Sequence, residues 1–87
     1  MISREEELII EEIKNYIEST YEQHYVSSNK IQLVDIIDDN DLESFAKVSS
    51  MKYIQRYGKK DGRNRKDLLK AIHYLVMMLR VDNSRKV

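Results

Sequence analysis

The sequence predicts an all-α protein, a small bundle of three main helices with one short helical segment. Three observations carry the prediction. Proline is absent and glycine occurs only at Gly58 and Gly62 in 87 residues, so little interrupts a helix. Apolar residues recur at helical spacing over most of the chain. The one β-branched apolar run, Ile31 to Ile37, has no second run to pair with as a strand.

The first helix starts at Ser3, a capping residue, with Glu6 three positions on to complete a capping box. Ile9, Ile10, Ile13, Tyr16, Ile17, Thr20, Tyr21 and His24 then form one face, and Glu7, Glu11, Lys14, Glu18 and Glu22 the other. This pattern makes an amphipathic helix of about six turns. Val26 to Lys30 is a polar break. Within Ile31–Ile37, the spacing of Leu33, Ile36 and Ile37 fits a short helix.

Asp38-Asp39-Asn40 reads as a turn with a cap. Leu42, Phe45, Ala46, Ser49 and Tyr53 resume the helical spacing, with Val48, Met51 and Ile54 on an adjoining stripe. That helix should stop at Gly58. Lys59 to Asn64 is a polar connector, in which Asn64 or Asp61 supplies the next cap. Leu68, Leu69, Ile72, Leu75, Val76 and Leu79 give the last helix a wide apolar stripe, and residues 83–87 are expected to fray.

The length suits one domain, with an N-terminal acidic helix at 1–22 and the remaining helices at 23–82. A chain this short buries only about 60–65% of its unfolded surface, so a homo-oligomer is expected. The absence of cysteine excludes disulfides and thiolate chemistry. No apolar run approaches the roughly 20 residues of a membrane span. Met1 to Glu12 is acidic where a secretion signal would be basic and then apolar, so a soluble cytoplasmic protein is expected.

A net charge of zero conceals a division. Residues 1–44 hold 12 acidic and 3 basic side chains, a net −9; residues 45–87 hold 12 basic and 3 acidic, a net +9. The basic half implies an anionic ligand, or an acidic surface folded against it. The acidic half argues against a nucleic-acid partner.

Several chemistries lack their residues. Two glycines cannot build a phosphate-binding glycine loop, so no nucleotide-triphosphate motif of that type is present. There is no serine–histidine–acid spacing and no Cys/His cluster for zinc, and neither a cofactor nor a metal is expected. Glu7 and Glu11, one turn apart, have the spacing of a magnesium pair, but the later helices offer mainly Asp67 as a further carboxylate, and a solvated helix face accounts for them. His24 and His73 lie at the edges of apolar stripes, as half-buried structural histidines do.

Lys52 to Asp67 differs in kind. Lys52 and Arg56 stand one turn apart, and Lys59, Lys60, Arg63, Arg65 and Lys66 follow in and after the connector, where the next helix begins. Arginine forks, lysine point charges and a helix N-terminus are three ways to hold a phosphate. Tyr53, Tyr57 and Tyr74 are candidates to stack on a base. The same residues also suit a solvated basic turn with core tyrosines, paired to the acidic first helix.

The string Lys52-Tyr53-x-x-Arg56-x-Gly58-x-Lys60-Asp61-Gly62, followed by Asp67-Leu68-x-Lys70-Ala71-x-x-Tyr74-Leu75, resembles a family of small tailed-phage proteins of largely unknown function. His24-Tyr25 and the Ile31–Ile37 segment match that family's opening, so the resemblance covers about residues 23–80. The family includes a phage deoxynucleoside monophosphate kinase without a Walker-type loop. By position, the resemblance implies phosphate contacts at Lys52, Arg56, Lys60 and Lys70, with Arg63 beside them in the same basic joint. It implies base stacking or packing for Tyr53 and Tyr74, and pocket lining for His24 and Tyr25. It further implies the host cytoplasm as location and a nucleotide as ligand, with a kinase-like activity whose catalytic residues it does not specify. The alternative it leaves open is a non-enzymatic phage protein that binds and modulates a host protein.

Overall fold

The computed structural model describes residues 1–21 and 37–85. It divides into two compact units, Met1–Asp35 and Ile36–Val87. Among the described residues there are three α-helices and no strand: α1 Arg4–Tyr21, α2 Asp39–Arg56 and α3 Arg65–Ser84. The described residues are therefore all-α, with three helices. The short helical segment expected at Ile31–Ile37, like His24 and Tyr25, falls almost wholly outside the described residues. No described helix is long and apolar enough to cross a membrane.

In the first unit, α1 begins with the expected capping box. The Glu6 N–H donates to Ser3 Oγ at 3.1 Å, and the Ser3 N–H donates to Glu6 Oε1 at 3.0 Å. These bonds with Ser3, the backbone one foremost, hold the Glu6 carboxyl below its ordinary range. Glu5, Glu6 and Glu7 fill the first turn, where the helix dipole favours anions. Ile13, Tyr16, Ile17 and Thr20 are half-buried, and Leu8, Ile9 and Ile10 stay exposed.

In the second unit, Asp38 caps α2. Its Oδ1 accepts from the N–H of Asn40 at 2.8 Å and of Asp41 at 3.3 Å. The helix ends at Arg56, Tyr57 turns extended, and Gly58 takes φ +86°. The Gly58 N–H then donates to the Gly62 carbonyl at 2.8 Å, which closes the connector into a tight loop. Of the two caps the sequence offers α3, Asn64 is the one used: its side chain accepts from the Lys66 N–H at 3.0 Å. A Cβ at residue 58 would meet nothing within 4 Å, so Gly58→Ala tests backbone conformation alone. It is expected to lower stability by about 1 kcal/mol, read as a lower urea midpoint at unchanged m-value.

α2 and α3 pack as an antiparallel hairpin. Leu42, Ala46 and Ser50, at four-residue spacing, face Asp67, Ala71 and Val81, and all six are buried. Ala46, Ser50 and Ala71 are small, so the backbones approach closely. The Ser50 hydroxyl is satisfied by donating to the Lys47 carbonyl at 2.9 Å. The close approach leaves the larger apolar residues to either side. Val48, Met51 and Ile54, expected as a stripe adjoining the core, are exposed, as are Leu68, Leu75 and Leu79 of the α3 stripe. Leu69, Ile72 and Val76 are half-buried.

The open end of the hairpin is clasped. Ser84 Oγ donates to Asp39 Oδ2 at 2.7 Å. The Arg85 fork donates to Glu43 Oε2 at 2.6 Å and to Asn40 Oδ1 at 2.8 Å. Helix α3 runs to Ser84, and the side chains of Ser84 and Arg85 find partners on the first two turns of α2.

Candidate site at the basic joint

The tight connector brings the last turns of α2 against the first turns of α3, and Tyr53 lies at that join. Its position one residue after Lys52 and three before Arg56 sets both cations along its edge of α2. Lys70 arrives from the facing helix. The Lys52 Nζ lies 4.6 Å, the Lys70 Nζ 5.0 Å and the Arg56 guanidinium carbon 5.4 Å from the centroid of the Tyr53 ring. Each distance is within cation–π range.

A row of rings fixes the tyrosine. Tyr74 of α3 stacks on Tyr53 at 5.9 Å between centroids and 7° between planes. Phe45 meets Tyr74 edge-on at 5.5 Å and 82°, and His73 lies 6.5 Å from Tyr74. The row ties α2 to α3 and holds one face of Tyr53 against Tyr74.

The charges around the ring are unbalanced. All three cationic groups fall within roughly 10 Å of one another, which at an effective dielectric near 20 costs about 2 kcal/mol per pair before salt screening. Among the described residues, the carboxylate paired to these cations is Asp67, in the first turn of α3, where the helix dipole favours it. Only 4% of Asp67 is exposed, and its Oδ1 stands 3.9 Å from Arg56 Nε. That separation gives Coulomb attraction without a hydrogen bond. The Arg56 Nε–H is itself buried and finds no hydrogen-bond partner among the described residues. Among the described residues, three cations stand against one carboxylate, an excess of two positive charges.

Of the residues the sequence nominates, Lys52, Tyr53, Arg56, Lys70 and Tyr74 come together here. Lys60 and Arg63 are exposed in the connector beyond the cluster. Lys60 is oriented by its backbone N–H, which donates to the Arg56 carbonyl at 3.1 Å. Glu7, one of the two glutamates with magnesium-pair spacing, is hydrogen-bonded by Arg4 at 3.2 Å. Two members were not assigned a role from the sequence. Asp67 counters Arg56, and its signal was an acid four residues before Ala71, on the buried line of α3. Phe45 supports Tyr74, and its signal was an aromatic eight residues before Tyr53.

His73 is half-buried, and burial, then the charge of Arg80, lowers its pKa below the ordinary 6.5. The folded state thus binds fewer protons than the unfolded state in that range. The resulting stability is present above pH 6.5 and lost as pH falls through the lowered value. Urea melts from pH 7.5 to 5 are expected to show this decline, and His73→Gln should flatten it.

The profile of a family described as a protein of unknown function (DUF3310) matches residues 10–76. The matched range takes in the whole basic joint and starts within α1, earlier than the 23–80 span of the resemblance seen in the sequence. No curated protein and no solved structure matches the chain.

Proposed function

The chain belongs to the DUF3310 family, and from its joint we propose that it binds a nucleotide or another phosphate-bearing ligand at residues 52–70. The observation that carries the reading is the gathering of Lys52, Arg56 and Lys70 on one tyrosine ring, with Asp67 the one carboxylate paired to them among the described residues. A hairpin of two helices does not need three cations there to fold, and their mutual repulsion works against it. A bound phosphate reverses the sign of that energy, because each cation then gains an anionic partner. The buried, unpartnered Arg56 Nε–H supports the same reading, since an anion oxygen would satisfy it.

The resemblance to phage nucleotide kinases supports a deoxynucleoside monophosphate as the ligand and phosphoryl transfer to it as the activity. The basic side chains fit the first part of that reading. They hold and orient a phosphate and neutralise charge that builds on it.

Calorimetry with dTMP, dGMP, ATP and inorganic phosphate tests the binding. Affinity in the micromolar range that weakens with added salt is expected for at least one nucleotide, and thymidine without its phosphate should not bind. If none of the four binds below millimolar concentration, the reading fails. ADP release from ATP in the presence of dTMP or dGMP reads the activity separately, and its absence would leave a binding protein without the kinase step.

A further inference from the structure

The hairpin has a second working face, opposite the cationic joint. Helical geometry places it. With the line from Ala46 to α3 as reference, Tyr53, Arg56 and Lys52 lie to one side of α2, while Ile54 and Met51 lie roughly 80–140° to the other. On α3, Tyr74 and Lys70 lie to one side of Ala71, while Leu75, Leu68 and Leu79 lie roughly 40–80° to the other. Two facing antiparallel right-handed helices put residues of like angular sign on the same side. Met51, Ile54, Leu68, Leu75 and Leu79 therefore share one face, and all five are exposed, Leu79 by 62% and Met51 by 60%. An open apolar face of this kind is the core around which standard interfaces of about 800 Å² per partner are built.

Charge decides what covers it. The hairpin is polar from end to end. Among the described residues, Asp38, Asp39, Asp41, Glu43 and Asp82 outnumber Arg80 and Arg85 at the open end, and Lys59, Lys60, Arg63, Arg65 and Lys66 outnumber Asp61 and Asp67 at the connector end. A second hairpin laid face to face and antiparallel sets each acidic end beside the other copy's basic connector. The parallel arrangement sets like ends together and is repelled.

We propose that this face is covered by a second copy of the chain, with the hairpins antiparallel about a two-fold axis near Leu75. Leu75 lies near the midpoint of α3, so the axis there superposes the two ends. Such a contact is self-complementary and closed, and it leaves Lys52, Arg56 and Lys70 of each copy on the side away from the partner.

Sedimentation of the full chain is expected to show a dimer that dissociates more readily in high salt. Leu75→Lys should weaken it by at least about tenfold while the helical circular dichroism stays unchanged, since Leu75 is exposed in the single chain. Cross-linking gives the orientation independently of any folding effect. The chain has no native cysteine, so introduced thiols are the only ones present. Leu75→Cys should cross-link to itself. Leu68→Cys and Leu79→Cys chains, when mixed, should cross-link to each other in preference to themselves. A monomer at every concentration overturns the proposal and leaves the face to another kind of partner. Preferential self-linking at residues 68 and 79 overturns it as well, because it reports the parallel arrangement.

Discussion

Replacing Lys52, Arg56 and Lys70 together with alanine is expected to remove nucleotide or phosphate binding by about a thousandfold or more while the helices persist. The size follows from the number of contacts. A hydrogen bond or ion pair to a charged group is worth about 1.5–3 kcal/mol, so losing three exceeds the roughly 4 kcal/mol that a thousandfold change represents. The single replacements should rank with position. Arg56→Ala should lose most, since its guanidinium is partly buried and its Nε–H is held without a partner. Lys60→Ala, exposed in the connector, should lose about threefold or less. Stability should fall by about 2 kcal/mol, because the replacement leaves the buried Asp67 carboxylate without its cation, while relief of repulsion offsets only the lost packing of the cations on Tyr53. Calorimetric titration and urea melts of the same proteins separate the two effects. Binding that survives the triple replacement would place the ligand elsewhere.

The second large effect is expected at Asp67. Its carboxylate is nearly fully buried, and Arg56 is the cation paired to it. Breaking a buried ion pair by removing one member commonly costs 3–5 kcal/mol. The Arg56 side chain keeps about a third of its surface in water and the pair is 3.9 Å apart, so a smaller loss of about 2 kcal/mol is expected for Asp67→Ala. Asp82→Ala, on the exposed surface of the same helix, should change stability by about 0.5 kcal/mol or less. Adding Arg56→Ala to Asp67→Ala should then cost less than the sum of the two single changes, the signature of a coupled pair. Asp67→Ala should also bind phosphate ligands more tightly among the molecules that remain folded, since it removes the competing anion. Loss of stability with tighter binding distinguishes a counter-charge from a residue needed to shape the site.

Much of this fold is local and was therefore legible. The Ser3–Glu6 box, the Asp38 and Asn64 caps and the stop at Gly58 each depend on residues within one turn of one another. The pairing of α2 with α3 depends on which face of each helix the other accepts. Both helices carry apolar residues over more than one face, so periodicity left several choices. Ala46, Ser50 and Ala71 made the choice through their small size, and so turned Val48, Met51 and Ile54 outward. The site was legible to the same degree. Lys52 and Arg56 share a helix face, and the run of cations marked the joint. That Lys70 reaches the Tyr53 ring from across the hairpin, and that Asp67 is the buried counter-charge, follows from packing alone.

The position of the cluster within the hairpin also orders the steps of folding. Arg56 and Asp67 close a short loop, whereas Ser84 and Asp39 are joined across nearly the whole unit. Loop closure is easiest at the connector, so folding is expected to zip from the joint towards the clasp, an order that slowing of refolding by changes at the joint would report. The three cations therefore meet while little apolar surface has yet been buried, and their repulsion falls on the rate of folding. An anion held among them lowers that barrier, so a phosphate-bearing ligand would hasten assembly of the hairpin as well as hold the finished one together.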